Sequence, residues 1–328
     1  MKIGLTYDLR SAYLEMGFSE LETAEFDRDD TIEAIESALT TLGHQCERIG
    51  HARQLIQALA EGRRWDLVFN IAEGMYGIGR EAQIPAILDV YNIPYTFSDP
   101  LVMSLTLHKG MTKRVLRDAQ VAVSDFLVAE SGSDTVGISF APPYFIKPVA
   151  EGTGKGIDPD SIVRDGGQLA DAVDRLVQNF HQAVLVEPYL PGREFTVGIV
   201  GTGKGAKAIG TMEVILLQSA EEGLYSYINK EECEERVEYR LADSSRDPVV
   251  QEAEATALAA WRVLGCRDGG RADLRCDESG RPLFMEVNPL AGIHPQHSDL
   301  PILCSKLGIA YLALIQMILD SATSRIKL

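Results

Sequence analysis

Arg271-Ala272-Asp273 and, thirteen residues after that aspartate, Glu286-Val287-Asn288 lie on two consecutive strand-like runs separated by the turn Asp277 to Gly280. Hairpin pairing would make the two runs neighbours. Side chains alternate along a strand, so Arg271 and Asp273 share one face, as do Glu286 and Asn288. An ordinary core strand would put apolar groups at those positions. Two carboxylates and an amide oxygen are hard donors that suit magnesium, and a guanidinium beside them can stabilise a developing oxyanion or phosphoryl charge. The plainer alternative is a solvated hairpin face with a surface ion pair.

Three further segments carry chemistry. Phe145-Ile146-Lys147-Pro148 runs into Glu151-Gly152-Thr153-Gly154-Lys155-Gly156, where a lysine at a strand end precedes closely spaced glycines whose backbone N–H groups could face an anion. A common glycine turn would look the same. Val186-Glu187-Pro188-Tyr189-Leu190, with Glu194 close behind, offers two acids and apolar groups able to bind an exocyclic amine and a ribose, or simply a strand exit with a surface glutamate. Lys109 opens a helical pattern, where a solvated lysine is the default. Two motifs fail on context: Gly198 to Lys204 has the spacing of a P-loop, but Gly205 stands where Ser or Thr is required and a strand pattern follows. Gly74, Gly77 and Gly79 have the wrong spacing for a dinucleotide fingerprint. His294 and His297 near Cys304 lack a further placed ligand for zinc.

The elements that must position these groups follow from periodicity. Up to residue 100, strands Lys2–Tyr7, His44–Ile49, Asp66–Ile71 and Tyr95–Phe97 alternate with helical patterns from Asp30, over Ala52–Ala60 and over Glu81–Tyr91. Asp30 with Glu33 reads as a capping box. This is a doubly wound α/β domain with its crevice at the C-terminal strand ends. Residues 101–200 read as a smaller α+β domain: helices Leu101–Leu107 and Lys109–Arg117, strands Asp125–Ala129, Tyr144–Pro148 and Ala183–Tyr189, and helix Gln168–Phe180. Residues 201–328 make a third unit, with strands Ala206–Leu217, Gly270–Cys276 and Pro282–Asn288 and helix Pro248–Leu264.

Composition bounds the function. The 328 residues carry 31 Lys+Arg against 48 Asp+Glu, a net charge of -17 that repels nucleic acid, so any anionic ligand needs a local cluster. Ile309–Leu319 is about half a bilayer span and no leader is evident, which points to a cytoplasmic chain without a membrane partner. The 5 scattered cysteines suggest neither a disulfide framework nor a zinc knuckle and read as reduced thiols.

Taken in order, the four segments resemble the ATP-grasp superfamily, and most closely the D-alanine–D-alanine ligase family, over nearly the whole chain. Asn92 to Thr96 and Glu194 to Val197 also resemble that family's scaffold sequences. The resemblance implies an ATP-grasp fold with ATP held between the central and C-terminal domains. It implies Lys109 and Lys147 on the ATP phosphates and Glu151, Gly152, Thr153 and Gly154 in a closing loop. Glu187, Tyr189 and Leu190 would frame adenine, and Glu194 the ribose. Lys230 would be a further phosphate lysine, in the loop that covers the active site, Asp273, Glu286 and Asn288 would hold two Mg2+ ions, and Arg271 with the Gly292 N–H would stabilise the tetrahedral intermediate. The implied reaction turns a carboxylate into an acyl phosphate that an amine opens to an amide, with ADP as product; a homodimer is also implied.

The substrate side departs from the family. Its Ser-x-Glu element after the first strand is replaced by Tyr7-Asp8-Leu9-Arg10 and an insertion, Ser11 to Asp29, and its His-Gly is Glu73-Gly74. Arg80 falls in place of an acidic-glycine signature, and Ile293 to Asp299 replaces the small-residue run before the substrate serine. Tyr7, Asp8, Glu73, Arg80, His294, His297 and Ser298 are therefore candidates for the substrate pocket. The expectation is a ligase of small-molecule carboxylate and amine substrates other than D-alanine. A true D-alanine–D-alanine ligase and an inactive nucleotide-binding scaffold are the alternatives.

Overall fold

The computed structural model describes residues 1–217 and 236–326. The strands β1 (Lys2–Thr6), β2 (Gln45–Gly50) and β3 (Leu67–Asn70) form a parallel sheet in the order β2-β1-β3. Ile3, Leu5 and Phe69 face α2 (Asp29–Thr41), which presents Ile32, Ile35 and Leu39 at helical spacing. The opposite face, through Val68, meets Leu55 and Leu59 of α3 (Ala52–Ala60) and Leu88 of α4 (Gln83–Val90). Helices on both faces make the unit doubly wound, as the alternating pattern requires.

Local details differ from the sequence expectations. Tyr95 makes one isolated parallel bridge to Val68 rather than opening a full strand. The expected capping box at Asp30 does not form: α2 starts at Asp29 behind an extended Arg28, and the Asp30 carboxylate turns to His294 instead. Both aspartates still sit in the first turn, where the helix dipole favours negative charge. The insertion contains a short helix, α1 (Arg10–Glu15), that the sequence reading left out.

The central sheet has β4 (Leu127–Ala129), β5 (Tyr144–Pro148), β6 (Ile162–Val163) and β7 (Val184–Pro188) in the order β4-β7-β5-β6. It is backed by α7 (Leu169–Phe180), through Leu169, Ala172 and Val173. The third sheet holds β8 (Glu194–Val200), β9 (Lys207–Leu216), β10 (Val237–Ala242), β11 (Gly269–Cys276) and β12 (Pro282–Asn288), ordered β10-β9-β8-β11-β12. Its buried cover is α8 (Pro248–Leu264), whose Ala253, Ala257, Ala260 and Trp261 pack on Phe195, Val197 and Ala272.

This topology moves the expected boundaries. β8 lies at the centre of the third sheet, bonded to β9 and β11, so that unit begins at Glu194 and not at 201. Val102 of α5 (Pro100–Leu107) and Leu116 of α6 (Lys109–Asp118) join the same core, so 101–118 does not belong to the central sheet alone. The first unit is likewise not closed at residue 100. Its core is completed by Leu314, Ile315, Ile318 and Leu319 of α10 (Tyr311–Ser324), together with Leu300 and Cys304 of α9 (Asp299–Lys306). Among the described residues no single helix is long and apolar enough to cross a membrane. The pair α9 and α10 meets at 116° with its apolar face in this core.

Candidate active site

The polar hairpin forms in the expected register, with Arg271 opposite Asn288 and Asp273 opposite Glu286. Its turn is fixed by Asp277, whose carboxylate accepts the Ser279 and Arg281 N–H groups at 2.8 and 3.0 Å. A bulge after Asp273 breaks the ladder there, a device that re-aims side chains beside sites. Arg271 pairs with Asp273 and, through Nε, with Asp299 at 3.5 Å. Burial opposes its charge, but Asp273, Asp299 and Glu286 outweigh that and hold the guanidinium above its ordinary range. The Thr196 hydroxyl donates to Asp273 Oδ1 at 2.9 Å, and Asn288 Nδ2 reaches Asp273 Oδ2 at 3.4 Å.

Two lysines of one helix tie this hairpin to the central sheet. Lys109 opens α6, where the helix dipole disfavours a cation, and burial pushes its pKa down further against the pull of Glu286. It stays there because it donates to the Glu151 carbonyl and lies 3.5 Å from Glu286 Oε2. One turn later Lys113, 0% exposed, donates to Ser124 Oγ, the Phe284 carbonyl of β12 and Glu187 of β7, the last at 2.6 Å. Glu187 ends an apolar strand and also accepts from Ser124 at 2.6 Å, with Lys147 Nζ 3.5 Å away. Burial raises its pKa, but Lys113 and Lys147 prevail and keep it below the usual carboxylate range. Beyond it, Tyr189 lies under the Arg275 guanidinium at 5.2 Å, Arg275 pairs with Glu194 at 3.4 Å, and Leu190 is half-buried.

The glycine loop is held on both sides. Glu151 pairs with Lys155 at 2.5 Å and accepts from Gln182 at 2.7 Å. Thr153 and Gly154 take left-handed φ values of 50° and 74°. The Gly152 N–H donates to Glu25 at 2.5 Å, and a Cβ at this position would stand 2.6 Å from Glu25 Oε1, so a larger residue would have to displace that carboxylate. Glu25 also takes Arg80 at 2.8 Å and Lys155 at 3.4 Å, and although burial opposes ionisation, these cations hold its pKa low.

Two cavities meet at this point. One, of about 110 Å3, runs from Glu25, Glu73 and Glu81 to Arg271, Glu286, Asn288 and Gly292. The other, of about 280 Å3, is bounded by Arg28, Arg271, Gly292, His294, His297 and Ser298. Asp273, Glu286 and Asn288 suit Mg2+ by donor chemistry, since that ion takes one or two carboxylates and completes its shell with phosphate and water.

The substrate candidates separate. Glu73 lines the smaller cavity, where burial first, then Glu81, Glu25 and Asp27, push its pKa well up. His294 pairs with Asp30 at 3.1 Å and stacks on His297 at 4.6 Å, while Ser298 Oγ accepts the His294 N–H at 2.9 Å. Arg80 is not a solvated loop residue: it is 7% exposed and committed to Glu25 and the Ala150 carbonyl. Tyr7 lines none of these cavities and packs on the first core beside α2. Asp8 is buried and accepts from the Tyr13 hydroxyl and the Gly74 N–H. Lys230 lies outside the described residues. Sequence reasoning missed Lys113, although it falls one helical turn from Lys109, and it missed Glu25. Thr23-Ala24-Glu25 is a displaced match to the Ser-x-Glu pattern, carried inside the insertion.

The model of the D-ala D-ala ligase C-terminus matches residues 118–320. The D-alanine–D-alanine ligase of Cupriavidus necator is 31% identical over 82% of this chain and 80% of its own length. The chain belongs to the D-alanine–D-alanine ligase family. An uncharacterized protein of Sinorhizobium fredii is 31% identical over 89% of the chain and 87% of its own length. The crystal structure of the Bacillus anthracis D-alanine–D-alanine ligase complexed with ATP superposes with a TM-score of 0.74 at 20% identity, covering 99% of this chain and 98% of that one. The fold is therefore ATP-grasp, and the family membership makes the protein an ATP-dependent ligase.

Proposed function

We propose that this D-alanine–D-alanine ligase family member joins a carboxylate substrate other than D-alanine to an amine, through an acyl phosphate, with cleavage of ATP to ADP. The observation that carries the reading is an asymmetry across one cleft. On the nucleotide side Lys109, Lys147, Glu187, Asp273, Glu286, Asn288 and Arg271 converge. On the substrate side, Glu25 is already neutralised by Arg80 and Lys155, whereas Glu73 and Glu81 form no ion pair among the described residues.

Lys109 and Lys147 would neutralise the phosphates, and Glu151 to Gly154 would cover them and exclude water that would hydrolyse an acyl phosphate. Glu187, Tyr189 and Leu190 would frame the adenine and Glu194 the ribose. Asp273, Glu286 and Asn288 would hold magnesium, two ions by analogy with the family, which when bound supplies charge neutralisation at the phosphoryl group. Arg271 and the Gly292 N–H would stabilise the oxyanion formed when the amine attacks. Glu73 would meet the substrate's ammonium group, and His297 and Ser298 would flank the second substrate. We further propose a homodimer, testable by light scattering.

The test is ADP release by the full chain with ATP and Mg2+, against D-alanine, other D- and L-amino acids and small dicarboxylates, singly and in pairs. Stimulated turnover by acids other than D-alanine is expected. Efficient formation of D-alanyl-D-alanine would overturn the substrate assignment. Nucleotide binding without stimulated turnover by any acid would favour a non-catalytic scaffold.

A further inference from the structure

A third cavity, of about 190 Å3, lies beside the catalytic cleft at the C-terminal ends of β1 and β3, where a doubly wound sheet receives ligands. Its walls include Tyr13, Met16 and Phe18 from the insertion and Met75 and Tyr76 from the loop after β3. The insertion is what makes it a pocket. Tyr13 is wedged among Phe18, Phe26 and His51, with ring centroids 5.6, 4.6 and 6.2 Å away. Its hydroxyl donates at 2.6 Å to Asp8, which is 2% exposed and whose other oxygen accepts the Gly74 N–H at 2.8 Å. One buried carboxylate thus fastens the insertion to the loop that carries Glu73.

That loop is also the partition. Ala72 and Gly74 line this cavity, and Glu73 between them lines the catalytic one. Arg80 stands at the same wall, its guanidinium held by Glu25 and the Ala150 carbonyl. At the mouth Tyr76 and Met16 are left 64% and 59% exposed, large apolar groups that a bound ligand would cover. An apolar cavity of about 150 Å3 already accommodates benzene, so this one has room for a benzyl or branched aliphatic group.

We propose that this cavity receives the side chain of the carboxylate substrate, so that the enzyme selects an amino acid with a large apolar or aromatic side chain over alanine. The proposal rests on the ligase reading above and names the substrate class for the same site. Pocket shape in the insertion, rather than charge at Arg80, then sets specificity.

The experiment measures ADP release by the full chain with alanine, leucine, phenylalanine and tyrosine in both enantiomers, each paired with a panel of amines. Wild type should favour the large side chains by at least about tenfold in kcat/KM. Phe18→Ala and Tyr76→Ala should lower the phenylalanine-to-alanine ratio about 10- to 100-fold, mainly through KM. Nucleotide affinity measured on the same samples reports that each variant is folded. Turnover with alanine equal to that with the large amino acids, or a ratio unmoved in both folded variants, would overturn the pocket and leave the ligase reading standing. ADP release with small dicarboxylates but with no amino acid would overturn the pocket alone, and none with any acid would overturn both.

Discussion

Glu286 faces Lys109 from 3.5 Å on the proposed nucleotide side of the cleft, whereas the proposed adenine frame at Glu187 to Leu190 stands on another sheet. Glu286→Gln should therefore lower turnover by about 10²-fold or more while calorimetry finds ATP affinity changed only a few-fold; equal loss of both would contradict the assignment. Lys113 poses a structural question. Replacing it by methionine leaves Ser124, the Phe284 carbonyl and Glu187 each short of a donor, which should cost about 3 kcal/mol in urea unfolding. Asp27 gives a pH signature. Burial and Asp8 push its pKa up to about 8, against about 3.9 in an unfolded chain. Between those values the folded state holds the extra proton, so stability falls as pH rises from about 4 to about 8. Asp27→Asn should flatten that slope, seen as a variant that gains on wild type between pH 5 and pH 8 in thermal unfolding.

At the scale of elements, the Glu151 to Gly156 loop is expected from its glycines to move freely without nucleotide, and the structure ties it down through Glu25, Gln182 and Lys155. Glu25→Ala should accordingly speed hydrogen exchange at the Gly152 amide in the absence of ATP; unchanged exchange would mean the insertion does not restrain the loop. The segment Glu221 to Glu235, expected to share that motion, lies outside the described residues. Elements bounded by punctuation were legible in the sequence: α8 runs from Pro248 to the residue before a left-handed Gly265, and β5 and β12 keep their expected bounds. The hairpin chemistry was legible for the same reason, since polar groups at alternate positions of a half-buried strand are anomalous. Glu25 was not. It shares the insertion with Glu20 and Glu22, both exposed, and beyond the displaced Thr-x-Glu match nothing local sets it apart; the distant approach of Gly152 and Arg80 does. The place of β8 in the third sheet was hidden likewise, because long-range pairing with β11 decides it.

At the scale of the whole molecule, the units are stitched rather than strung. Asp268, fully buried, accepts from the Phe97 N–H at 2.7 Å, from Ser321 at 2.8 Å and from Arg325 at 2.5 Å. Asp268→Ala should destabilise the protein by about 3 kcal/mol and lower the transition of the first and third units together in calorimetry. A split into separate transitions would show the units to be independent.

The docking of α10 has a consequence for how the protein is made. β1, β2 and β3 are translated well before α10, and the core that holds Ile3, Leu5 and Phe69 stays incomplete until Leu314, Ile315 and Ile318 have been synthesised. Domains ordinarily fold in order as they emerge, and unfinished ones expose apolar surface. Here the strands are translated well before the helix that completes their core, so the nascent chain carries an open hydrophobic face until α10 has been made.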